Sequence, residues 1–256
     1  MSNRTMSVAG SFYPNSCKEI KEYISIFNKV KENQKANFKA KAIIAPHAGY
    51  VFSGYTANCV YKLIDSKEFK RVVVVGPSHH FYAKGASIAL YDNYETPCRN
   101  IEIDMEYAKN LMKKYDFLSF VDKLHQEHST ETQMPFIEHY LPQAKVVEIV
   151  YSDIDYKELI PLFQELLDDE ETLLVVSSDL SHFHTLKEAN RVDNFCIEGI
   201  KDINIKELEQ CEACGLIGIK ALISVAKKSQ VINYRTSYDA SGDDVRVVGY
   251  LSAIVG

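Results

Sequence analysis

The stretch RVVVVGPSHH, residues 71–80, indicates the fold more clearly than any other part of the sequence. Its run of four valines is typical of a strand that is buried on both faces of a parallel sheet. The strand runs directly into Gly-Pro-Ser and then into two adjacent imidazoles, His79 and His80. The pattern predicts a core strand whose carboxyl end delivers histidines to a functional site.

Other apolar runs complete a predicted sheet around this strand. The candidate parallel strands are the short β-branched runs 42–45, 71–76, 145–151 and 172–177. Helical patterns lie at 54–65, 103–115, 129–140, 156–168, 185–203 and 215–228. The polar segment 29–41 is interpreted as a helix end that leads into the first core strand, and QVINYRTSYD with VRVVGYLSAIVG predicts a terminal hairpin or two edge strands. Strands alternating with helices predict one α/β domain over residues 1–256, with a central, largely parallel or mixed sheet and helices on both faces.

The composition is that of an ordinary globular chain and argues against several classes of protein. The 256 residues are 46 % hydrophobic and 25 % charged, and the net charge is −6. An acidic chain without clustered Lys and Arg is not expected to bind nucleic acid. No apolar run is long enough to span a membrane, and the first residues lack the apolar core of a signal peptide, so we expect a cytoplasmic protein. In that reducing compartment the six cysteines are expected to be thiols or metal ligands rather than disulfides.

Histidines and an aspartate follow three of the predicted strands at their carboxyl ends. His47 follows 42–45, His79 and His80 follow 71–76, and Asp179 and His182 follow 172–177. In α/β sheets these ends face one crevice, so we expect the side chains to converge there. Neutral imidazole is the commonest metal ligand and a ready general base, and the cluster therefore predicts metal-assisted chemistry.

Two histidines need a third ligand to hold a catalytic metal. The carboxylate candidates are Glu127, Glu131 and Asp179, and the thiol candidates are Cys211 and Cys214. Cys214 is the better thiol because it precedes Gly215 and an apolar helix, whose N-terminus is expected to lower the pKa of the thiol. A single C-x-x-C pair is weak evidence, and simple packing of both thiols is the alternative.

Three more histidines lie outside the predicted strand ends. His125 and His128 belong to a predicted helix start, where a polar cap and a supporting role beside the metal ligands are equally good interpretations. His139 falls within the helical pattern 129–140 and is interpreted as a surface residue.

The motifs GSFYP, IIAPHAGYVFSG, GPSHH, EHSTETQMPFIE, SSDLSHF and ACG follow one another in the order found in the Memo family, which the chain resembles over nearly its whole length. The resemblance implies a single α/β domain similar to the class III extradiol, LigB-type dioxygenases. It implies a metal held by His47, His79 and Cys214. It also implies that His182 acts as the acid or base and that Asp179 lines the same pocket.

The same resemblance implies the residues around the metal and the kind of metal. The implied pocket residues are Phe12, Tyr13, His80, Glu127 and His128. The dioxygenases hold iron with two His and one Glu, whereas here a thiolate takes the place of the carboxylate. Sulfur is a softer ligand, which adds copper and zinc as candidates beside iron, and the expected metal is iron or copper, with zinc as a further candidate.

Three functions are consistent with these features. The leading hypothesis is a metal-dependent oxidoreductase that uses iron or copper and dioxygen, in which His182 removes or donates a proton and Asp179 orients His182. One alternative is a non-catalytic module that binds a peptide or protein in the same crevice. Another is a zinc-dependent hydrolase with Glu127 as its base. The expected partner is a small molecule or a peptide, and the resemblance adds radical-SAM and Ammecr-type proteins.

Overall fold

The structure, a computed structural model, describes residues 2–30 and 35–256. Within these residues the strands β1 to β12 are, in chain order, Asn3–Arg4, Ala42–Ala45, Arg71–Pro77, Ala86–Ile88, Asn93–Tyr94, Ile101–Glu102, Leu118–Ser119, Lys145–Tyr151, Thr172–Ser177, His182–His184, Ser229–Thr236 and Val247–Val255. The helices α1 to α9 are Cys17–Lys29, Tyr50–Tyr61, Met105–Lys114, His128–Glu131, Met134–Tyr140, Tyr156–Asp168, Leu186–Lys201, Leu216–Val225 and Tyr238–Ser241.

Four parallel strands form the centre of a mixed sheet. Their spatial order is β2, β9, β3, β8, and each hydrogen-bonds in parallel with its neighbour. The terminal hairpin of β11 and β12 adds to β2 in antiparallel orientation, and β4 adds to β8 in the same way. All four central strands were predicted from sequence, which confirms the α/β fold class.

The valines of β3 show why helices cover both faces of this sheet. Val72 and Val74 pack on one face with residues of α1, α2 and α5, whereas Val73 and Val75 pack on the other with residues of α3, α6, α7 and α8. All four valines are fully buried. Each such side chain contributes roughly 1.5–3 kcal/mol of hydrophobic stabilisation, so the strand is held firmly from both sides.

Two helix predictions differ from the structure near the site. The pattern 54–65 predicted a late start, but α2 begins at Tyr50, whose N–H donates to the carbonyl oxygen of Phe12 at 2.7 Å. The pattern 129–140 divides into α4 and α5, since the first helix ends at Glu131 and the second begins at Met134 with Pro135 in its first turn. The predicted polar segment 29–41 begins at the last residue of α1, and its residues 31–34 lie outside the described residues.

The expectation that the cysteines are thiols is wrong for four of the six. Cys17 forms a disulfide with Cys98, and Cys196 forms one with Cys211. The first pair is 81 residues apart in sequence, and the fold brings their Cα atoms within 4.5 Å. Spacing along the chain does not reveal such a pairing, which depends on tertiary contacts.

None of the described helices meets the length and hydropathy that a membrane span requires.

Candidate metal centre

His47 lies directly beyond the carboxyl end of β2 and is fixed by a carboxylate from the loop after β9. Asp179 Oδ1 accepts hydrogen bonds from the backbone N–H groups of His47 at 2.8 Å and Ala48 at 3.3 Å. His47 is buried, and its ring Nδ1 lies 2.9 Å from Ser177 Oγ. The two neighbouring strands therefore hold both the backbone and the ring of His47.

The hydrogen bonds of Ser177 determine which nitrogen of His47 carries the proton. Ser177 Oγ donates its single proton to the carbonyl oxygen of Ser129 at 2.5 Å and accepts from Gln133 Nε2 at 2.9 Å. The hydroxyl has no second proton, so His47 Nδ1 must be the donor and Nε2 carries the lone pair. Burial, with the nearby His79 ring as a further cause, lowers the pKa of His47 well below 6.5, which keeps the imidazole neutral and able to bind a metal.

His79 is oriented in the same way by Glu127. Glu127 accepts from the His79 backbone N–H at 2.6 Å and from ring Nδ1 at 2.9 Å. Burial alone would raise the pKa of Glu127, but its interactions with His128 and His79 outweigh burial and hold the pKa well below its usual value. The ionised carboxylate fixes the proton on His79 Nδ1, so Nε2 of His79 is also available.

Three histidine rings meet at this position. Ligand nitrogens of His47, His79 and His128 all lie within 4.8 Å of one another. The ring centroid of His128 is 4.4 Å from that of His79 and 5.4 Å from that of His47. A second set of potential ligand atoms within the same limit comprises His80, Glu127 and His128, and it overlaps the first.

The sequence placed His128 near the expected metal site but did not predict that its ring would lie beside those of His47 and His79. His128 is the first residue of the short helix α4, which packs on the end of β3. A Cβ on Gly76 would lie 2.7 Å from Ser129 Oγ, so glycine permits this close approach. Ser129 Oγ also donates to the carbonyl oxygen of Pro77 at 2.7 Å. The signal available in the sequence was the glycine that directly follows the valine run.

Cys214 contacts His47 but lies to one side of the three rings. Its Sγ is 3.2 Å from His47 Nε2 and accepts from the Asp179 N–H at 3.3 Å. Within the described chain, no set of three ligand atoms lying within 4.8 Å of one another includes Cys214. Burial, with Asp179 as a second cause, raises the pKa of the thiol to about 12, so the expected lowering by the helix N-terminus is outweighed. Its role as a ligand stays a prediction.

His182 is oriented by a carbonyl group and not by Asp179. Its Nδ1 lies 2.8 Å from the carbonyl oxygen of Leu180, which can only accept, so Nδ1 carries the proton and Nε2 the lone pair. Asp179 instead holds the loop that carries His47. The hydrogen bond that orients His182 therefore comes from Leu180, whereas Asp179 was the expected partner.

The remaining predicted pocket residues have unequal access to the cluster. The Phe12 ring lies 4.6 Å from the His128 ring and forms one wall of the cluster. Tyr13 is largely buried, and its hydroxyl donates to Glu131 Oε1 at 2.7 Å, which anchors the loop; together with Phe12 it also lines the groove beside the cluster. His80 is exposed, with its ring 5.5 Å from that of His128.

An open groove adjoins the cluster and shares Phe12 with it. Its volume is about 570 Å³, and its walls include Tyr23 and Tyr50 together with the carboxylates Glu19 and Glu22. This volume is in the range of small-molecule sites.

His125 belongs to a second polar chain that is closed to ligands. Its Nε2 lies 2.8 Å from Ser87 Oγ and its Nδ1 lies 2.7 Å from Glu148 Oε2, in the order of a serine-hydrolase triad. All three residues are at most 1 % exposed, so no substrate reaches the hydroxyl. Glu148 also accepts from Thr130 Oγ1 at 2.5 Å, and the chain therefore fixes α4 beneath the cluster.

The order of these residues along the chain matches a known protein family. The sequence model of the family described as "Memo-like protein" matches residues 4–254. The chain belongs to the Memo family. A MEMO1 family protein of Aquifex aeolicus is 35 % identical over 98 % of each chain. One of Methanobrevibacter smithii is 31 % identical over 98 % of this chain and 99 % of that protein.

The fold of this Memo-family chain also occurs in a solved structure. The crystal structure of the uncharacterized protein JW3007 from Escherichia coli K12 aligns with a TM-score of 0.56, covering 84 % of this chain and 99 % of that one. The sequences are only 12 % identical, so the likeness concerns the fold alone.

The low pKa of His47 makes the stability of the metal-free Memo-family chain depend on pH. Between the lowered pKa of the folded chain and the value of 6.5, the unfolded chain binds more protons, so the free energy of unfolding decreases as the pH falls through this window. We expect urea denaturation to give a smaller free energy at about pH 5.5 than at about pH 7.5, and the decrease to be smaller in His47→Gln. Equal pH dependence in the two proteins would rule out burial of a neutral His47.

Proposed function

We propose that this Memo-family chain is a metal-dependent oxidoreductase that uses iron or copper and dioxygen. The observation that carries the proposal is the orientation of two imidazoles. Ser177 holds Nδ1 of His47 and Glu127 holds Nδ1 of His79, so Nε2 of each ring carries a lone pair, and that of His47 lies beside the candidate ligand Cys214. Such outer hydrogen bonds are what a metal-binding histidine needs in order to be fixed in tautomer and direction.

The donor set suits a transition metal. His47 and His79 supply neutral nitrogens, and Cys214 supplies sulfur next to His47. A bound cation would favour the thiolate over the thiol, which offsets the pKa that burial raises. Bound iron or copper would supply the redox chemistry, since nitrogen and sulfur ligands accommodate both metals.

The residues around the donors have separate tasks in this proposal. His182 has a lone pair on Nε2 and serves as the proton acceptor and donor for a bound substrate. Asp179 holds the His47 loop in place through two backbone hydrogen bonds. The groove beside Phe12 receives the substrate, a small molecule or a peptide segment.

Zinc-dependent hydrolysis with Glu127 as base is less consistent with the geometry. Glu127 is 1 % exposed, and both of its carboxylate oxygens already accept from His79. A general base must reach the proton of a bound water, and these contacts leave Glu127 in a supporting position.

Metal content and oxygen uptake test the proposal together. We expect protein purified anaerobically to retain about one equivalent of iron or copper, and to consume oxygen when either metal is added with a reductant. His47→Gln, which lacks one imidazole, is the matched comparison and is expected to lose both properties. Absence of metal above trace in the wild type, together with no oxygen uptake, would exclude the proposed activity.

A further inference from the structure

We propose that His128 is a further metal ligand, so that three imidazoles and one sulfur surround the same cation. This inference rests on the metal centre proposed above and adds a residue that the sequence motifs placed only in the pocket. Ligand nitrogens of His47, His79 and His128 lie within 4.8 Å of one another, so small rotations of the rings would bring all three to the bond length of one ion, about 2.0–2.1 Å for zinc.

Glu127 supports His128 and His79 at the same time. His128 Nδ1 lies 3.0 Å from Glu127 Oε1, the oxygen that also accepts from His79 Nδ1 at 2.9 Å. The His128 contact is too bent for a regular hydrogen bond, but it still turns Nδ1 towards the carboxylate and Nε2 away from it. One buried carboxylate thus leaves the outer nitrogens of two rings for a cation.

Hydrogen bonds to β3 and β8 fix the backbone that carries His128. Ser129 Oγ donates to Pro77 O at 2.7 Å, and Thr130 Oγ1 donates to the buried carboxylate of Glu148 at 2.5 Å. Because β3 and β8 hold α4 directly, the ring of His128 is positioned before any metal binds.

Packing alone does not account for this arrangement. Stacking on Phe12 explains one face of the His128 ring but not the approach of three histidines. His47 Nε2 carries its lone pair beside Cys214, and ligand nitrogens of His79 and His128 approach the same small space. A metal ion satisfies all three nitrogens at once.

The resulting ligand set differs in charge from a two-histidine, one-carboxylate site. Three imidazoles are neutral, so only Cys214 carries negative charge to the metal. Cys214 contacts His47 Nε2 at 3.2 Å, and its sulfur would complete the set.

Copper binding with a count of coordinated imidazoles tests the inference. Cu²⁺ would be added to the full chain, its affinity measured by competition with a chelator, and the imidazoles counted by pulsed EPR. We expect three imidazoles in the wild type and in Cys214→Ser, but two in His128→Ala. We also expect His128→Ala to lose at least about 10-fold in copper affinity. Loss of a residue that only hydrogen-bonds a metal ligand already costs about 10-fold, and loss of a ligand should cost at least as much. Circular dichroism of His128→Ala and of the more conservative variant His128→Asn checks that both proteins retain the fold.

Two control variants decide between His128 and the outer residues. His139 is an exposed histidine on α5, and His139→Ala should bind copper as the wild type does. His80→Ala tests the overlapping outer set instead, because among the described residues His80 belongs only to that set.

The outcomes separate this inference from the proposed function. A wild type that binds copper with two imidazoles, unchanged in His128→Ala and weakened in His47→Gln, would overturn the role of His128 and leave the metal centre standing. Equal losses in His80→Ala and His128→Ala, with none in His47→Gln, would also overturn it. A wild type with no copper affinity would overturn both.

Discussion

Replacing Glu131 by alanine is expected to lower the free energy of unfolding by about 3–5 kcal/mol, the usual cost of removing one partner of a buried ion pair. Glu131 is fully buried and pairs with Arg4 Nη1 at 2.5 Å. It also accepts from the backbone N–H groups of Ser7 and Val8, each at 2.9 Å. Alanine would leave the Arg4 charge and both N–H groups without their acceptor.

The measurement is urea denaturation of Glu131→Ala beside a matched surface variant. Glu188 pairs with Arg191 on the exposed face of α7, and loss of such a pair changes stability by at most about 1 kcal/mol. Glu188→Ala should therefore unfold close to the wild type. A loss below about 1 kcal/mol in Glu131→Ala would mean that the segment 4–13 is not anchored through this carboxylate.

Anchoring of this segment also matters for the candidate metal centre. Tyr13 donates to Glu131, and Phe12, its neighbour in sequence, packs against His128. The same short helix α4 thus carries the anchor at its last residue and an imidazole of the cluster at its first. The four residues of α4 therefore couple the stability of the N-terminal segment to the shape of the candidate site.

The sheet could be predicted because its central strands are buried on both faces. A strand such as β3 needs apolar side chains at every position, and this produces a continuous run that is visible in the sequence. Two-residue strands such as β1 and β5 have no such pattern and exist only because the rest of the chain brings them together. The break between α4 and α5 was missed because their apolar residues keep helical spacing across it.

The residues of the candidate site that directly follow core strands could be predicted from the sequence, whereas His128, which begins a short helix, could not. The rule that the carboxyl ends of parallel strands face one crevice predicted the proximity of His47, His79, Asp179 and His182. The position of His128 was not predicted, because it depends on the packing of a four-residue helix against β3. The pKa of Cys214 was misjudged for a related reason, since the burial that governs it depends on tertiary contacts.

Replacement of Glu127 by glutamine is expected to weaken metal binding by about 10–100-fold, towards the upper end because one carboxylate supports two imidazoles. An amide keeps the shape of the side chain but loses the charge, and its NH₂ group would oppose either the ring N–H or the backbone N–H of His79. His79 would then lose a fixed tautomer as well as a partner.

Chelator competition under nitrogen with Fe²⁺ and with Cu²⁺ measures this effect, and Glu102→Gln is the matched control. Glu102 is an exposed carboxylate that pairs with Lys145 on the surface, so its loss should leave metal affinity unchanged. If Glu127→Gln binds both metals as tightly as the wild type while retaining its fold, the contacts of Glu127 with His79 and His128 do not prepare these rings for a cation. The orientation of Nε2 at His79 would then have to come from packing. Packing constrains His79 less than it constrains His47, because the His79 side chain is 27 % exposed whereas His47 is buried.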